Sequence, residues 1–192
     1  MSPSSGDRDA GGWRTAPRRP IAWWRHALMA LGLVAVIGGY DHAVWRNEKL
    51  LADGDVVRLE LAPRDPRALL TGDYMALNYR LARDIEKMVG GNDRERGDAL
   101  ASRDGYAVVR LDERRVATLV RTQPAATPPP GSGERLLHYR LRESSVRIGT
   151  NAWYFEEGSV KRFEPARFGE FRVAGNGRML LTTMLGEDLK PL

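Results

Sequence analysis

Residues 26–40 read HALMALGLVAVIGGY, an unbroken apolar stretch between Arg25 and Asp41 that holds no formally charged side chain. A helix that crosses a bilayer needs about 20 predominantly apolar residues. Apolar neighbours on both sides extend the stretch, and the long side chain of Arg25 can reach the head groups. Three tryptophans stand where the aromatic belts of membrane helices are found, Trp23, Trp24 and Trp45. The sequence therefore predicts a transmembrane anchor over residues 21–45 that contacts the lipid bilayer.

A cleaved secretory signal peptide is the alternative for this segment, because signal peptides carry an apolar region of about 7–15 residues. Cleavage requires small residues at the first and third positions before the cut, and Ile37-Gly38-Gly39 meets that requirement poorly. Arg18-Arg19 resembles a twin-arginine signal, but Pro20 follows it and the apolar context is missing. We therefore expect an uncleaved anchor, with cleavage near Gly39 as the alternative.

The distribution of arginine and lysine sets the expected orientation of the anchor. Five arginines precede the apolar stretch, whereas Arg46 and Lys49 follow it in the company of acidic residues. The positive-inside rule then favours a cytoplasmic N-terminus. Residues 1–20, rich in Ser, Gly, Pro and Arg, are expected to form a disordered cytoplasmic tail. Residues 46–192 are expected to form an extracytoplasmic domain, which in a two-membrane bacterium means a periplasmic domain held by the inner membrane.

The composition excludes several kinds of site. The chain has no cysteine, which excludes disulfides, thiolate nucleophiles and cysteine-bound zinc. The net charge is +5 and the isoelectric point is about 9.8. Basic and acidic residues are nevertheless interspersed rather than gathered in a basic block, so we expect no nucleic-acid partner.

The ionisable residues give little support for catalysis. The three histidines, at positions 26, 42 and 138, lack metal-binding spacing, and no G-x-S-x-G elbow is present. Glu156 and Glu157 are adjacent, so their carboxylates point apart on a strand or a helix. We expect no enzyme activity and no cofactor or metal. An envelope hydrolase or a small-ligand-binding domain is the alternative.

Strand patterns dominate the sequence after the anchor. Eight segments are predicted as strands: 56–61, 74–81, 106–111, 114–121, 136–142, 146–150, 168–174 and 178–185. In 56–61 and 74–81, apolar and polar residues alternate. Helical character is confined to short segments within 65–72, 83–104 and 156–167. Asn176-Gly177 favours a hairpin between the last two strands. These patterns predict a mainly-β, α+β domain, built as an antiparallel sheet or a small barrel with short helices.

Residues 72–79, GDYMALNY, form the most specific feature of the chain, because they fit the pattern G-D-Y-x-x-L-x-Y. Further segments accompany it in order: Asp65-Pro66-Arg67, WYFEEG at 153–158, GEFRV at 169–173 and EDLKPL at 187–192. Together they resemble the GDYXXLXY domain family of membrane-anchored bacterial proteins. The resemblance implies a single N-terminal anchor, a strand-rich external domain and no established enzymatic activity. It also implies a polytopic membrane protein as a partner, because family members are often encoded beside such proteins.

The alternation along residues 72–79 divides the family motif, Gly72, Asp73, Tyr74, Leu77 and Tyr79, between two roles. Leu77 and Tyr79 share the apolar face and are expected in the core, whereas Tyr74 faces the other way with Asn78 and is a candidate for contact. Gly72 is expected to end the preceding helical turn. Asp73 is expected to accept backbone N–H groups or to pair with Arg67 or Arg80.

The remaining candidates for interaction lie in two other segments. They are Asp65, Arg67, Trp153, Tyr154, Phe155 and Glu156. The aromatic run 153–155 also suits a hydrophobic core, so both uses are open. We expect a non-enzymatic accessory domain that binds a membrane or envelope partner.

Overall fold

The computed structural model describes residues 23–62, 74–96, 103–142 and 145–192. The chain divides into two units, residues 1–42 and residues 43–192. The expectations for the tail over 1–20, for the helical turn over 65–72 and for the residues Asp65, Arg67, Gly72 and Asp73 fall outside the described residues.

The first helix, α1 (Trp23–Asp53), contains 31 residues. It is the one helix within the described residues that is long and apolar enough to cross a membrane, judged by length and composition. Its apolar side chains stand exposed, with Leu31 at 65% and Val36 at 70% of full exposure. The helix continues past the apolar stretch to Asp53.

Nine strands follow among the described residues. In chain order they are β1 (Asp55–Glu60), β2 (Tyr74–Ala76), β3 (Arg103–Leu111), β4 (Ala117–Gln123), β5 (Glu134–Arg142), β6 (Ser145–Ile148), β7 (Ala152–Tyr154), β8 (Phe168–Val173) and β9 (Met179–Leu185). They form a three-stranded sheet β1-β8-β9, a two-stranded sheet β2-β7 and a four-stranded sheet β4-β3-β5-β6. All pairs within these sheets are antiparallel. The mainly antiparallel α+β class is therefore confirmed. The small-barrel alternative is wrong, because the strands of the described residues divide into three sheets that do not close.

The predicted strand over 74–81 is wrong beyond Ala76. Helix α2 (Arg80–Arg96) begins four residues later, and the Ala82 N–H already donates to the Tyr79 carbonyl at 3.1 Å. Its buried residues Leu81, Ile85 and Val89 recur every four positions, so one helical face enters the core.

The helical prediction for 83–104 is correct in kind and wrong in length, because α2 is a single helix of 17 residues. It runs through Gly90-Gly91, although glycine costs about 1 kcal/mol relative to alanine inside a helix. Tertiary burial of the apolar face outweighs that local preference. A four-residue helix, α3 (Val160–Phe163), lies within the predicted segment 156–167, as expected.

One continuous core joins these elements. It includes fully buried side chains from each large sheet and from α2: Val57, Leu59, Ile85, Val109, Leu137, Leu141, Phe171 and Met184. The alternation predicted for β1 is confirmed, since Val57 and Leu59 are completely buried. Backbone bonds also tie β1 to the segment around β2, since the Ala62 N–H donates to the Asn78 carbonyl at 2.7 Å. The residues at 74–79 are therefore held against the core.

Candidate functional site

Strand β2 of the family motif pairs directly with strand β7 of the aromatic run. Tyr74 lies opposite Tyr154, and Met75 lies opposite Trp153. The two segments that the sequence marked as candidates are thus adjacent, although about 80 residues separate them in the chain. Because side chains alternate along a strand, each pair of opposed residues occupies one face of this small sheet.

The outward face carries the two tyrosines. Tyr74 is 42% exposed and Tyr154 is 75% exposed. Their ring centroids lie 5.7 Å apart with an interplanar angle of 40°, which is a tilted contact. Neither hydroxyl has a hydrogen-bond partner among the described residues. The expectation that Tyr74 faces away from the core is confirmed.

The inward face is structural. Met75, Leu77 and Tyr79 are each about 5% exposed or less. The Leu77 N–H donates to the Asn151 carbonyl at 2.6 Å, which continues the contact with the β7 segment beyond the strand. The core positions expected for Leu77 and Tyr79 are therefore confirmed.

Tyr79 is held in place by both its hydroxyl and its ring. Its hydroxyl donates to the Thr150 carbonyl at 3.0 Å, and its ring meets Phe171 edge to face at 5.6 Å. Burial raises the pKa of the Tyr79 phenol well above its ordinary value, because the charged phenolate would be poorly solvated. Tyr79 is therefore a neutral donor that fixes the segment before β7.

The aromatic run 153–155 divides between surface and interior. Trp153 and Phe155 are half-buried and pack on Phe163 of α3, with ring centroids 6.0 and 5.3 Å apart. The Trp153 Nε1–H is buried without a hydrogen-bond partner among the described residues. Glu156 is exposed, and its backbone carbonyl accepts from the Ser159 N–H at 3.0 Å. Of the three aromatic residues, Tyr154 alone presents its ring mostly to the surroundings.

A cavity of about 430 Å³ adjoins Tyr154 on the side of β9. Its lining includes Trp153, Tyr154 and the start of β9, Met179 to Leu181, together with Gly149, Thr150 and Ala152. Strand β9 is the last strand of its sheet. Among the described residues its outer edge is paired at the far end, where the Leu192 N–H donates to the Met184 carbonyl at 3.1 Å. The sequence contained a signal for this surface, since three consecutive apolar residues at 179–181 cannot all face the core from one strand.

A second cavity, of about 400 Å³, lies beside the motif and is lined in part by Glu60, Asn78 and Phe163. The carboxylate of Glu60 is 3.2 Å from the Arg80 guanidinium. Asn78 is exposed, as its position in the alternation predicted.

Charged groups in the described residues form pairs and three-membered clusters, since Glu134 meets both Arg110 and Arg121, and Asp104 meets both His138 and Arg142. Arg58 meets Glu170 at 3.0 Å, Arg135 meets Asp55 at 2.7 Å and Arg121 meets Glu134 at 3.1 Å. Within the same residues, no group of three His, Asp or Glu side chains is placed to hold a metal ion. The arrangement around Tyr74 and Tyr154 is thus suited to apolar and aromatic contact.

Comparison with known proteins gives one match. The family model described as GDYXXLXY protein matches residues 36–184 of the chain, which include all nine strands but the last residue of β9. No curated protein and no solved structure matches the chain.

Proposed function

We propose that this chain, which belongs to the GDYXXLXY protein family, is a membrane-anchored extracytoplasmic domain that binds an envelope protein partner through Tyr74 and Tyr154. The observation that carries the proposal is the exposed, paired arrangement of these two rings on a sheet whose other face is core. The function is accessory and non-enzymatic: the domain recognises a partner and holds it at the membrane.

Helix α1 supports the anchoring part of the proposal. Its apolar residues from Leu28 to Ile37 lie exposed along the helix, and exposure of so much apolar surface to water is unfavourable by about 25 cal/mol per Å². A bilayer removes that cost. The arginines before the helix favour a cytoplasmic N-terminus, which assigns residues 46–192 to the periplasm of a two-membrane bacterium.

The tyrosine pair supports the binding part. Tyrosine is enriched at protein interfaces because it offers a large contact area, has only two side-chain torsions to order and carries a hydroxyl that can donate or accept. Tyr74 and Tyr154 are backed by Met75 and Trp153, which belong to or pack on the core. A surface supported in this way loses little conformational entropy when it binds.

The open edge of β9 indicates the form of the partner. An exposed strand edge offers unpaired N–H and C=O groups to an added strand. Tyr154 lines the cavity beside this edge together with Leu180 and Leu181. An extended apolar segment of a polytopic membrane protein would pair with the edge of β9 and, at the same time, contact the ring of Tyr154.

The pairing of buried and half-buried carboxylates with arginine supports a non-enzymatic role. Catalytic carboxylates usually stand together in a cleft with strongly shifted pKa values. The carboxylates of Asp55, Glu134 and Glu170 are instead each bound by an arginine.

The experiment is capture of partners from native membranes. The full-length chain with Tyr74→Ser and Tyr154→Ser is compared with the unaltered chain after crosslinking and affinity purification. Arg140→Ser with Arg147→Ser is the matched control, because these two residues are also exposed and directly opposed across strands β5 and β6.

We expect a reproducible membrane partner that the control retains and the double tyrosine variant loses. Equal recovery by the two double variants would contradict the role of the tyrosine pair. A monodisperse protein with no reproducible partner would contradict the binding function itself.

A further inference from the structure

A third cavity, of about 320 Å³, lies at the end of helix α1. One wall is the last part of the helix, from Trp45 to Asp53, and the other is the turn between β8 and β9, residues 173–178. All these residues belong to the second unit, 43–192. We name this cavity the helix-end cavity.

Basic side chains from two distant parts of the sequence meet there. Arg46 and Lys49 come from the helix, and Arg178 comes from the turn. The Arg178 Nη2–H donates to the Asn47 Oδ1 at 2.9 Å, across 131 residues of sequence. Lys49 Nζ lies 5.3 Å from the centroid of the Trp45 ring, a cation–π contact. The fold has thus brought a third cation to two that were adjacent in the helix.

These cations have no acidic partner within the part of the chain that the structure describes. Among the described residues, no ion pair involves Arg46, Lys49 or Arg178. Two carboxylates line the cavity, but Asp55 is bound by Arg135 at 2.7 and 3.2 Å. Among the described residues, Asp53 is then the one carboxylate lining the cavity that is not in an ion pair. Its single negative charge faces three basic side chains. The helix-end cavity therefore carries net positive charge and favours an anion.

The position of the cavity limits what that anion can be. Trp45 and Arg46 follow Asp41, the first charged residue after the apolar stretch, by four and five residues. Five residues span at most about 18 Å in any conformation and about 7.5 Å as a helix. The polar head-group region extends about 5–7 Å beyond each side of the hydrocarbon core. The cavity is therefore held within reach of lipid phosphates, and Trp45 is a residue typical of that depth.

We propose that the helix-end cavity binds the phosphate-bearing head group of an anionic phospholipid in the leaflet that the domain faces. Arg178 supplies a planar donor pair for phosphate oxygens, and Arg46 and Lys49 supply further charge. This inference rests on the proposed bilayer anchoring and adds a second, lipid-specific contact to it. It also accounts for Arg46 and Lys49, which follow the membrane-spanning stretch on the external side, where the positive-inside rule expects few basic residues.

Retention of lipid by the purified full-length protein tests the proposal. The protein in detergent is titrated with phosphatidylglycerol or with phosphatidylcholine of the same acyl chains, and bound lipid is counted by native mass spectrometry. Lys49→Gln with Arg178→Gln removes two of the cations. Arg46→Gln is a second variant, because the Arg46 side chain makes no hydrogen bond among the described residues and its loss should leave the fold intact. Lys87→Gln with Lys161→Gln is the control, since both residues are exposed and neither lines the cavity.

We expect the unaltered chain and the control to retain phosphatidylglycerol selectively. Retention should fall roughly thirtyfold in the Lys49/Arg178 variant and roughly fivefold in the Arg46 variant, because each basic residue near an anionic surface contributes about 1 kcal/mol. Equal retention of the two lipids would overturn the proposal, as would unchanged selectivity in the variants. Displacement of the lipid by inorganic phosphate at the same concentration would show that the cavity takes soluble phosphate instead.

The test separates this inference from the proposed function. Loss of lipid selectivity with the protein still in the membrane fraction, and with partner capture intact, would overturn the helix-end cavity alone. Recovery of the full-length chain in the soluble fraction would instead contradict the anchoring on which it rests.

Discussion

Tyr74 lies directly opposite Tyr154 across the two short strands β2 and β7, with ring centroids 5.7 Å apart on the outer face. The next pair along the same strands, Met75 and Trp153, occupies the opposite face and packs toward the core. The three-residue strand β2 of the family motif thus carries one residue that packs in the core, Met75, and one that is exposed, Tyr74. Stability and binding can therefore be altered separately at neighbouring positions.

Truncation of the tyrosines should affect stability much less than truncation of their neighbour. Tyr154→Ala removes one aromatic contact and little burial, so we expect a loss of about 1 kcal/mol or less in the free energy of unfolding. Met75→Ala should cost about 2–5 kcal/mol, because Met75 is 5% exposed and its removal leaves a cavity. Denaturant unfolding of the full-length chain in detergent measures both. Equal losses would contradict the division between faces.

The Tyr79 hydroxyl should contribute separately from its ring. Tyr79→Phe keeps the contact with Phe171 and removes the hydrogen bond to the Thr150 carbonyl, which should cost about 1 kcal/mol. Tyr79→Ala also removes the ring and should cost about 3–5 kcal/mol. The same unfolding measurement applies. A Phe variant as stable as the unaltered chain would show that the hydroxyl bond has no net value.

Glu134 should make stability depend on acid pH. Its carboxylate accepts the Gly131 N–H at 3.0 Å and the Arg121 guanidinium at 3.1 Å, and these bonds hold the pKa of Glu134 below its ordinary value of about 4.3. A carboxyl whose pKa is lowered by folding stabilises the native state above its unfolded pKa. That contribution is lost as the pH falls through the folded pKa.

Glu134→Gln should therefore reduce stability at pH 7 and flatten its decline below about pH 4.3. The measurement is the free energy of unfolding at a series of pH values. Glu156→Gln is the control, because Glu156 is exposed and no ion pair involves it among the described residues. Parallel pH curves for the unaltered chain and the Glu134 variant would refute the expectation.

Alanine substitutions at two glycines should distinguish the effect of backbone strain on stability from the effect of close packing. Gly158 and Gly177 both have φ of +83°, where an L side chain costs about 1–2 kcal/mol. A Cβ at Gly158 would meet open space, whereas a Cβ at Gly177 would lie 3.0 Å from the His138 backbone nitrogen. Gly177→Ala should therefore destabilise the domain more than Gly158→Ala, as measured by thermal unfolding. Identical shifts would indicate that the turn after β8 moves away from β5 without cost.

The absence of cysteine allows the orientation to be tested with single cysteines. Ser132→Cys places a thiol in the exposed loop before β5, and Ser5→Cys places one before the anchor. For a cytoplasmic N-terminus, an impermeant maleimide should label Ser132→Cys in intact spheroplasts and label Ser5→Cys only after lysis. The reverse pattern would exclude the proposed orientation, and a shortened product without the N-terminal segment would indicate a cleaved signal.

Local patterns anticipated much of the fold. The apolar stretch at 26–40 indicated helix α1, and the alternation at 56–61 placed Val57 and Leu59 in the core. Asn176-Gly177 indicated the β8–β9 hairpin. The alternation at 74–79 also assigned faces correctly, but it could not show that the strand ends at Ala76. There the helical recurrence of Leu81, Ile85 and Val89 prevails, because α2 buries its apolar face only against the assembled sheets.

The sequence by itself determined which segments can cross a membrane, which residues seek the core and which side of β2 presents Tyr74. These are properties of neighbouring residues, set by hydrophobicity and by the period of the backbone. Only the tertiary structure decided that Tyr154 stands opposite Tyr74 and that Arg178 joins Arg46 and Lys49. Such pairings join residues some 80 to 131 positions apart. Such pairings form because packing of the whole core contributes more free energy than the closure of long loops costs in entropy. A short sequence pattern contains no information about either quantity.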